Sequence, residues 1–262
     1  MLWHNSAMFH ERSGGHLLPP EPHFRWRGGE ITRLEGFSDA VFAFAVTLLV
    51  VSLEVPHTFD ELIIAMKGFV PFGICFAILV QVWFHHYIFS RRYGLQTRYA
   101  VVLNAALLFV VLLYVYPLKF LFTEVFGSIA PGKTLPREQI ARMLTSQHQV
   151  PVLMVIYSVG ATAVFVLFML LYRYAYQNRR ELELNEYETL ATRHSMIQHM
   201  GYAAVGLLVA IVAVLVPERY AGLTGLLFCL NGVWGWIAGA TLGRRERLVL
   251  ARMQSTAHAK ID

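Results

Sequence analysis

Six long apolar segments alternate with polar connectors along the chain: Phe37–Leu53, Gly68–Phe84, Tyr99–Leu118, Pro151–Tyr172, Met200–Val216 and Tyr220–Leu242. A helix needs about 20 mostly apolar residues to cross roughly 30 Å of hydrocarbon, so each of these predicts a membrane span. Pro151–Tyr172 and Tyr220–Leu242 hold no charged residue, while Pro117 and Pro217 bound the third and fifth segments. The first two are less clean. The first carries Ser38, Asp39 and Thr47, and the second runs into His85 and His86. The longest connector, Thr123–Gln149, contains a short amphipathic pattern at Leu135–Leu144 with Pro136 near its first turn. Gln177–His194 mixes acids with arginines and reads as a helical extension into water.

The pattern predicts an all-α membrane protein with six transmembrane helices. A flexible N-terminal tail would occupy residues 1–30, the six-helix domain 31–245, and a C-terminal tail 246–262. Composition agrees. Of the 262 residues 15% are charged, against about 25% in ordinary soluble chains, and the mean hydropathy is +0.49. Collagen-like, disordered and disulfide-rich classes are excluded. The two cysteines, Cys75 and Cys229, sit in apolar runs as packing residues.

The net charge of +5 could suit nucleic acid, but its distribution points elsewhere. Sixteen of the 22 lysines and arginines fall in the two tails and in the second-to-third and fourth-to-fifth connectors. Only Lys67, Lys119, Lys133, Arg137, Arg142 and Arg219 fall on the other side. Basic loops stay cytosolic, so this split with an even number of spans predicts both termini in the cytosol. It also makes a nucleic-acid partner unexpected. Met1–Gly29 lacks the apolar core of a signal peptide, so none is expected.

Ionisable residues inside a span are costly, so they face protein or water and have a purpose. Glu35 and Asp39 stand four apart, which puts two acids together near the cytosolic interface. Arg33 is six residues from Asp39, about 240° around the helix at 100° per residue, and cannot reach it. Asp39 therefore needs partners from other helices, and Trp83, His85, His86 and Asn104 lie at matching depth. Such a cluster either locks helices together or forms a direct ion or proton site.

His85 and His86 point about 100° apart and cannot jointly ligate one metal. His199 could pair with one of them across the bundle, although nothing in the spacing favours it. Neither a catalytic motif nor a cofactor-binding set is present. Phe37, Phe44, Leu48 and Val51 form an apolar stripe on the first helix with Thr47 at its border. In a bilayer such a stripe suits packing or a hydrophobic pore lining equally well. On the sixth helix Asn231, Gly235, Gly239 and Gly243 form a small-residue ridge that predicts close helix packing.

The run from Arg33 through Phe37-Ser38-Asp39 to Val51, with Trp83-Phe84-His85-His86 closing the second helix and Asn104 and Pro117 in the third, resembles the signature of the transmembrane protein 175 family. These are potassium-permeable channels of endosomes and lysosomes, with bacterial relatives. The resemblance implies a homotetramer of single six-helix repeats, with the first helices lining a central pore through the lipid bilayer of a bacterial plasma membrane. It implies apolar rings at Phe44, Leu48 and Val51 with Thr47 near the lining, and a structural network of Arg33, Phe37, Ser38 and Asp39. Phe44 departs from the isoleucine typical of relatives. The expected function is passive conduction of potassium and other monovalent cations, with a proton leak, no cofactor and no enzymatic step. The alternative is a proton-coupled transporter using Asp39 with His85 or His86 as a relay.

Overall fold

The structure, a computed structural model, describes residues 23–51, 57–59, 62–63, 66, 69–129 and 149–258. The amphipathic pattern at Leu135–Leu144 lies outside the described residues, as does most of the N-terminal tail. The described chain is all helical: α1 (Arg33–Val51), α2 (Phe69–Tyr93), α3 (Arg98–Ile129), α4 (Gln149–Gln177), α5 (Glu186–Leu215) and α6 (Leu230–His258). Helices α2 to α5, and the stretch Gly222–Arg252 ending in α6, are each long and apolar enough to cross a membrane. Helix α1 is shorter, at 19 residues, and its first two turns carry Arg33, Glu35 and Asp39.

Three boundaries differ from those the apolar pattern predicts. The third span does not stop at Pro117, because α3 runs through it to Ile129. Proline removes one backbone donor, a loss that a membrane-spanning helix tolerates where neighbouring helices or side chains satisfy the freed group. The charged stretch after the fourth span is not a continuous helical extension. Helix α4 ends at Gln177, residues 178–183 form turns, and Glu183 adopts a positive φ of 48°. Asn185 then starts α5 with a capping box, its side chain accepting from the Glu188 backbone N–H while Glu188 reaches back. The sixth span is also not one helix. A single turn, Glu218–Ala221, and a 3₁₀ stretch, Gly222–Cys229, precede α6.

One core joins α1 to α4, with Phe42, Leu49, Leu79, Leu107, Val111 and Phe168 buried in it. A smaller cluster of Met154, Tyr157, Val209 and Ala213 joins α4 to α5. The α4–α5 crossing is tight because Gly206 admits its neighbour's backbone: a Cβ there would lie 2.4 Å from Thr162 Oγ1 and 3.3 Å from the Ser158 carbonyl. The predicted ridge on α6 is not used in this way within the subunit. A Cβ on Gly239 or Gly243 would meet open space, and one on Gly235 would meet only the Tyr202 side chain. Helix α6 packs on α5, whereas α1 packs on α2 and α3. The two therefore form opposite flanks of the bundle.

Candidate functional site

Helix α1 is built to present two unlike faces. Thr32 and Glu35 cap its start reciprocally: the Thr32 N–H donates to Glu35 Oε2 at 2.8 Å, and the Glu35 N–H donates to Thr32 Oγ1 at 3.1 Å. At about 100° per residue, Glu35, Ser38, Phe42, Ala45 and Leu49 share one side. That side is buried. Phe37, Ala40, Phe44 and Thr47 share the other and are exposed, Phe44 by 56%. The free face is centred near Thr47 and not on the Phe44–Leu48 line that the apolar spacing suggests. Leu48 is half-buried, packed against the core, because it turns toward Val41 and Ala45. The Val51 side chain lies outside the described residues. Thr47 bonds back to the Ala43 carbonyl at 2.9 Å, which satisfies its hydroxyl within the helix.

The polar residues expected to converge on Asp39 separate into distinct pairs. Trp83 donates its indole N–H to Asp39 Oδ1 at 2.8 Å. His86 does not join them. Its Nε2 lies 2.8 Å from Asn104 Oδ1, and Asn104 donates in turn to the Ala100 carbonyl at 2.8 Å. His85 turns the other way, its ring centroid 5.1 Å from that of His199 and 5.9 Å from Phe168. The two histidines diverge as adjacent helical residues must. His199 does meet one of them across the bundle, which spacing alone did not favour. Among the described residues no three His, Cys, Asp or Glu side chains gather as a metal site. Ser38 donates to the Leu34 carbonyl at 2.8 Å inside its own helix, and the Arg33 and Phe37 side chains are exposed on this subunit. Glu35 and Asp39 also part company. Glu35 turns inward to its cap, with Arg91 Nε 3.9 Å from Oε1.

Two features of this region carry little signal in the sequence. The first is a strap ahead of α1, where a flexible tail was expected. Arg27 bonds Glu188 at 2.6 Å, and the Arg25 N–H donates to the same carboxylate at 2.7 Å. Arg27 Nε donates to the Leu182 carbonyl at 2.7 Å, and Arg91 donates to the Gly29 carbonyl at 2.9 Å. Phe24 is buried edge-on to Tyr93. Gly28 passes so close to α2 that a Cβ would lie 2.8 Å from the Ser90 carbonyl. The strap thus ties the entry of α1 to the α4–α5 turn and the end of α2. Its one sequence signal is the Asn185-x-x-Glu188 capping box. The second feature is Lys119, whose Nζ donates to the Leu49 carbonyl at 3.2 Å. A cation near the C-terminal end of a helix suits the local dipole, so Lys119 steadies the far end of α1.

Known proteins resemble this chain in sequence and fold. The family model of the endosomal/lysosomal potassium channel TMEM175 matches residues 33–114, which span α1, α2 and the first half of α3. A curated protein of Marivirga tractuosa named a potassium channel is 42% identical over 236 residues, covering 87% of this chain and 94% of its own. A crystal structure of a variant of the potassium channel MtTMEM175, bound to a nanobody–MBP fusion, superposes with a TM-score of 0.73 at 38% identity, covering 86% of this chain and 98% of that one. The crystal structure of a TMEM175 homologue from Chamaesiphon minutus has a TM-score of 0.51 at 20% identity over 79% of this chain and 96% of that one, a likeness of fold. The length and identity of these matches establish that the chain belongs to the TMEM175 family of multi-pass membrane proteins.

Proposed function

We propose that this chain is a potassium-permeable cation channel, a homotetramer in which four copies of α1 surround a central pore in a bacterial plasma membrane. The observation that carries this reading is the free face of α1. Phe37, Ala40, Phe44 and Thr47 line up along a helix whose opposite side is fully packed, while the chain's relatives are named potassium channels. A face about half the helix circumference can divide between a lumen and the neighbouring copies of α1. Phe44 forms the main apolar constriction, Thr47 a polar step beside it and Val51 a ring beyond, while Leu48, half-buried against the core, sits at the edge of the lining. Such a constriction gates by dewetting, and it selects by ion size and hydration more than by charge. Conduction is passive, with a proton leak.

Arg33, Phe37, Ser38 and Asp39 act as a structural network at the cytosolic entry of the pore helix. Both chain termini lie in the cytosol by the basic-side rule. The transporter alternative loses its motivating contact. Asp39 bonds Trp83, His86 bonds Asn104 and His85 faces His199, so the described contacts do not join the acid to either histidine. The deciding experiment is cation flux from proteoliposomes holding the purified protein under an imposed potassium gradient. Flux driven by that gradient alone supports the channel. Flux that requires an added proton gradient would replace it with the transporter.

A further inference from the structure

The flank of the molecule away from α1 carries an apolar groove between α5 and α6. Met200, Gly201, Ala204 and Leu208 line it from one helix, and Val233, Trp234 and Ile237 from the other, around a cavity of about 500 Å³. That volume falls within the roughly 300–1,000 Å³ of ligand pockets. Its polar capacity is already spent, since the Trp234 indole N–H donates to the Gln198 carbonyl at 3.1 Å. Leu208, Val233 and Ile237 remain exposed, so the groove opens sideways out of the bundle at membrane depth.

The groove has a charged end. Arg193 stands seven positions before Met200 on α5, and Arg244 seven after Ile237 on α6. Seven residues return a helix to nearly the same face about 10 Å along its axis, so each arginine continues the stripe that lines the groove. The helices run in opposite directions, which brings both arginines to the same end. The contact of His194 Nδ1 with Glu246 Oε1, at 2.7 Å, marks that level. Both arginines are exposed, and neither is in an ion pair among the described residues. The nearest acid, Glu246, is engaged by His194, while Arg245 and Arg247 add further positive charge beside it.

We propose that this groove is a binding site for an anionic phospholipid, one acyl chain lying along Trp234 and the head-group phosphate held between Arg193 and Arg244. The apolar lining at membrane depth selects a lipid chain, and the arginine pair at the groove's end selects its charge. Guanidinium groups bind phosphate through paired, charge-assisted hydrogen bonds. Long arginine stems also let their heads reach the head-group layer. Each arginine should raise preference for an anionic over a zwitterionic lipid by about fivefold. This site is independent of the ion pathway, since α6 flanks the bundle on the side away from α1.

The test uses the full chain reconstituted in phosphatidylcholine vesicles that contain either brominated phosphatidylglycerol or brominated phosphatidylcholine. Bromine quenches nearby tryptophans, and subtracting the Trp234→Phe protein isolates the signal from the groove. Stronger quenching of that signal by brominated phosphatidylglycerol, by tenfold or more in apparent affinity, is expected. The preference should vanish in Arg193→Gln/Arg244→Gln, whose surface positions leave the fold intact. Ala204→Phe, which fills the groove, should weaken quenching by both lipids. Equal quenching by the two lipids in the unaltered protein would overturn the proposal in favour of unselective boundary lipid. Absence of quenching by either would overturn it in favour of a groove covered by another copy of the chain.

Discussion

The indole N–H of Trp83 lies 2.8 Å from Asp39 Oδ1, pinning the N-terminal half of α1 to α2 by a charge-assisted bond. The bond is exposed on this subunit, so losing the donor costs about 0.5–1.5 kcal/mol. Trp83→Phe should therefore lower the melting temperature of the detergent-solubilised protein more than Asp39→Asn, which keeps an oxygen acceptor. Size-exclusion chromatography after heating reads both, and the assembled fraction should fall with stability. An Asp39→Asn protein that stays assembled yet carries no current would instead assign Asp39 a direct role with the ion.

Phe44 is more than half exposed on the free face of α1. If α1 lines the pore as proposed, replacing Phe44 with alanine widens the apolar constriction and lowers the barrier to its wetting. Cation current in planar bilayers should rise several-fold in Phe44→Ala, with weaker discrimination between potassium and sodium. Unchanged current and selectivity would remove Phe44 from the gate.

The strap ahead of α1 depends on Glu188, whose side chain is 1% exposed beside that of Arg27 at 11%. Breaking a buried pair from one side costs about 3–5 kcal/mol, because it strands the other charge. Glu188→Gln should release residues 24–28, seen as faster amide exchange there and quicker tryptic cleavage after Arg25 and Arg27. Exchange in α3 should hardly change. Protection of the strap equal to that of the unaltered protein would show that Phe24 and Gly28 hold it without the ion pair.

Lys119 donates to the Leu49 carbonyl from α3, next to the Leu48 turn of α1. Lys119→Met keeps the stem and removes the donor. The expected result is a more mobile C-terminal end of α1, read as increased spin-label mobility at position 50 and altered open probability. Identical mobility would leave Lys119 as a surface-seeking side chain only.

At the α4–α5 crossing, Gly206→Val would force branched methyls against Thr162 and the Ser158 carbonyl. Overpacking of this kind costs about 1–3 kcal/mol. The melting temperature should drop by several degrees, whereas Gly239→Val, where a Cβ meets open space, should leave it within error. Equal effects at the two glycines would show that α6 uses its ridge in the assembled protein.

Much of the site is legible in the amino-acid sequence. The Arg33 to Val51 run marks the first helix, and the Asp39–Trp83 and His86–Asn104 pairs lie among the residues that depth alone groups together. Their partition into separate bonds is not legible, because depth is set by position in a span whereas partnership depends on how each helix is rotated. The strap is hidden for a related reason. Arg27 and Glu188 are 161 residues apart, and no periodicity links them.

The multi-span helical class and the basic bias of one side are written in the chain, because the length of an apolar run and the position of charged residues are local properties that a bilayer reads directly. Packing in three dimensions sets which face of α1 stays free, turns Leu48 partly inward and brings His85 to His199. It also gives the close helix approach to Gly206 of α5 and not to Gly239 or Gly243 of α6. Those outcomes depend on helix crossing and rotation, which arise from the shapes of all the packed side chains together.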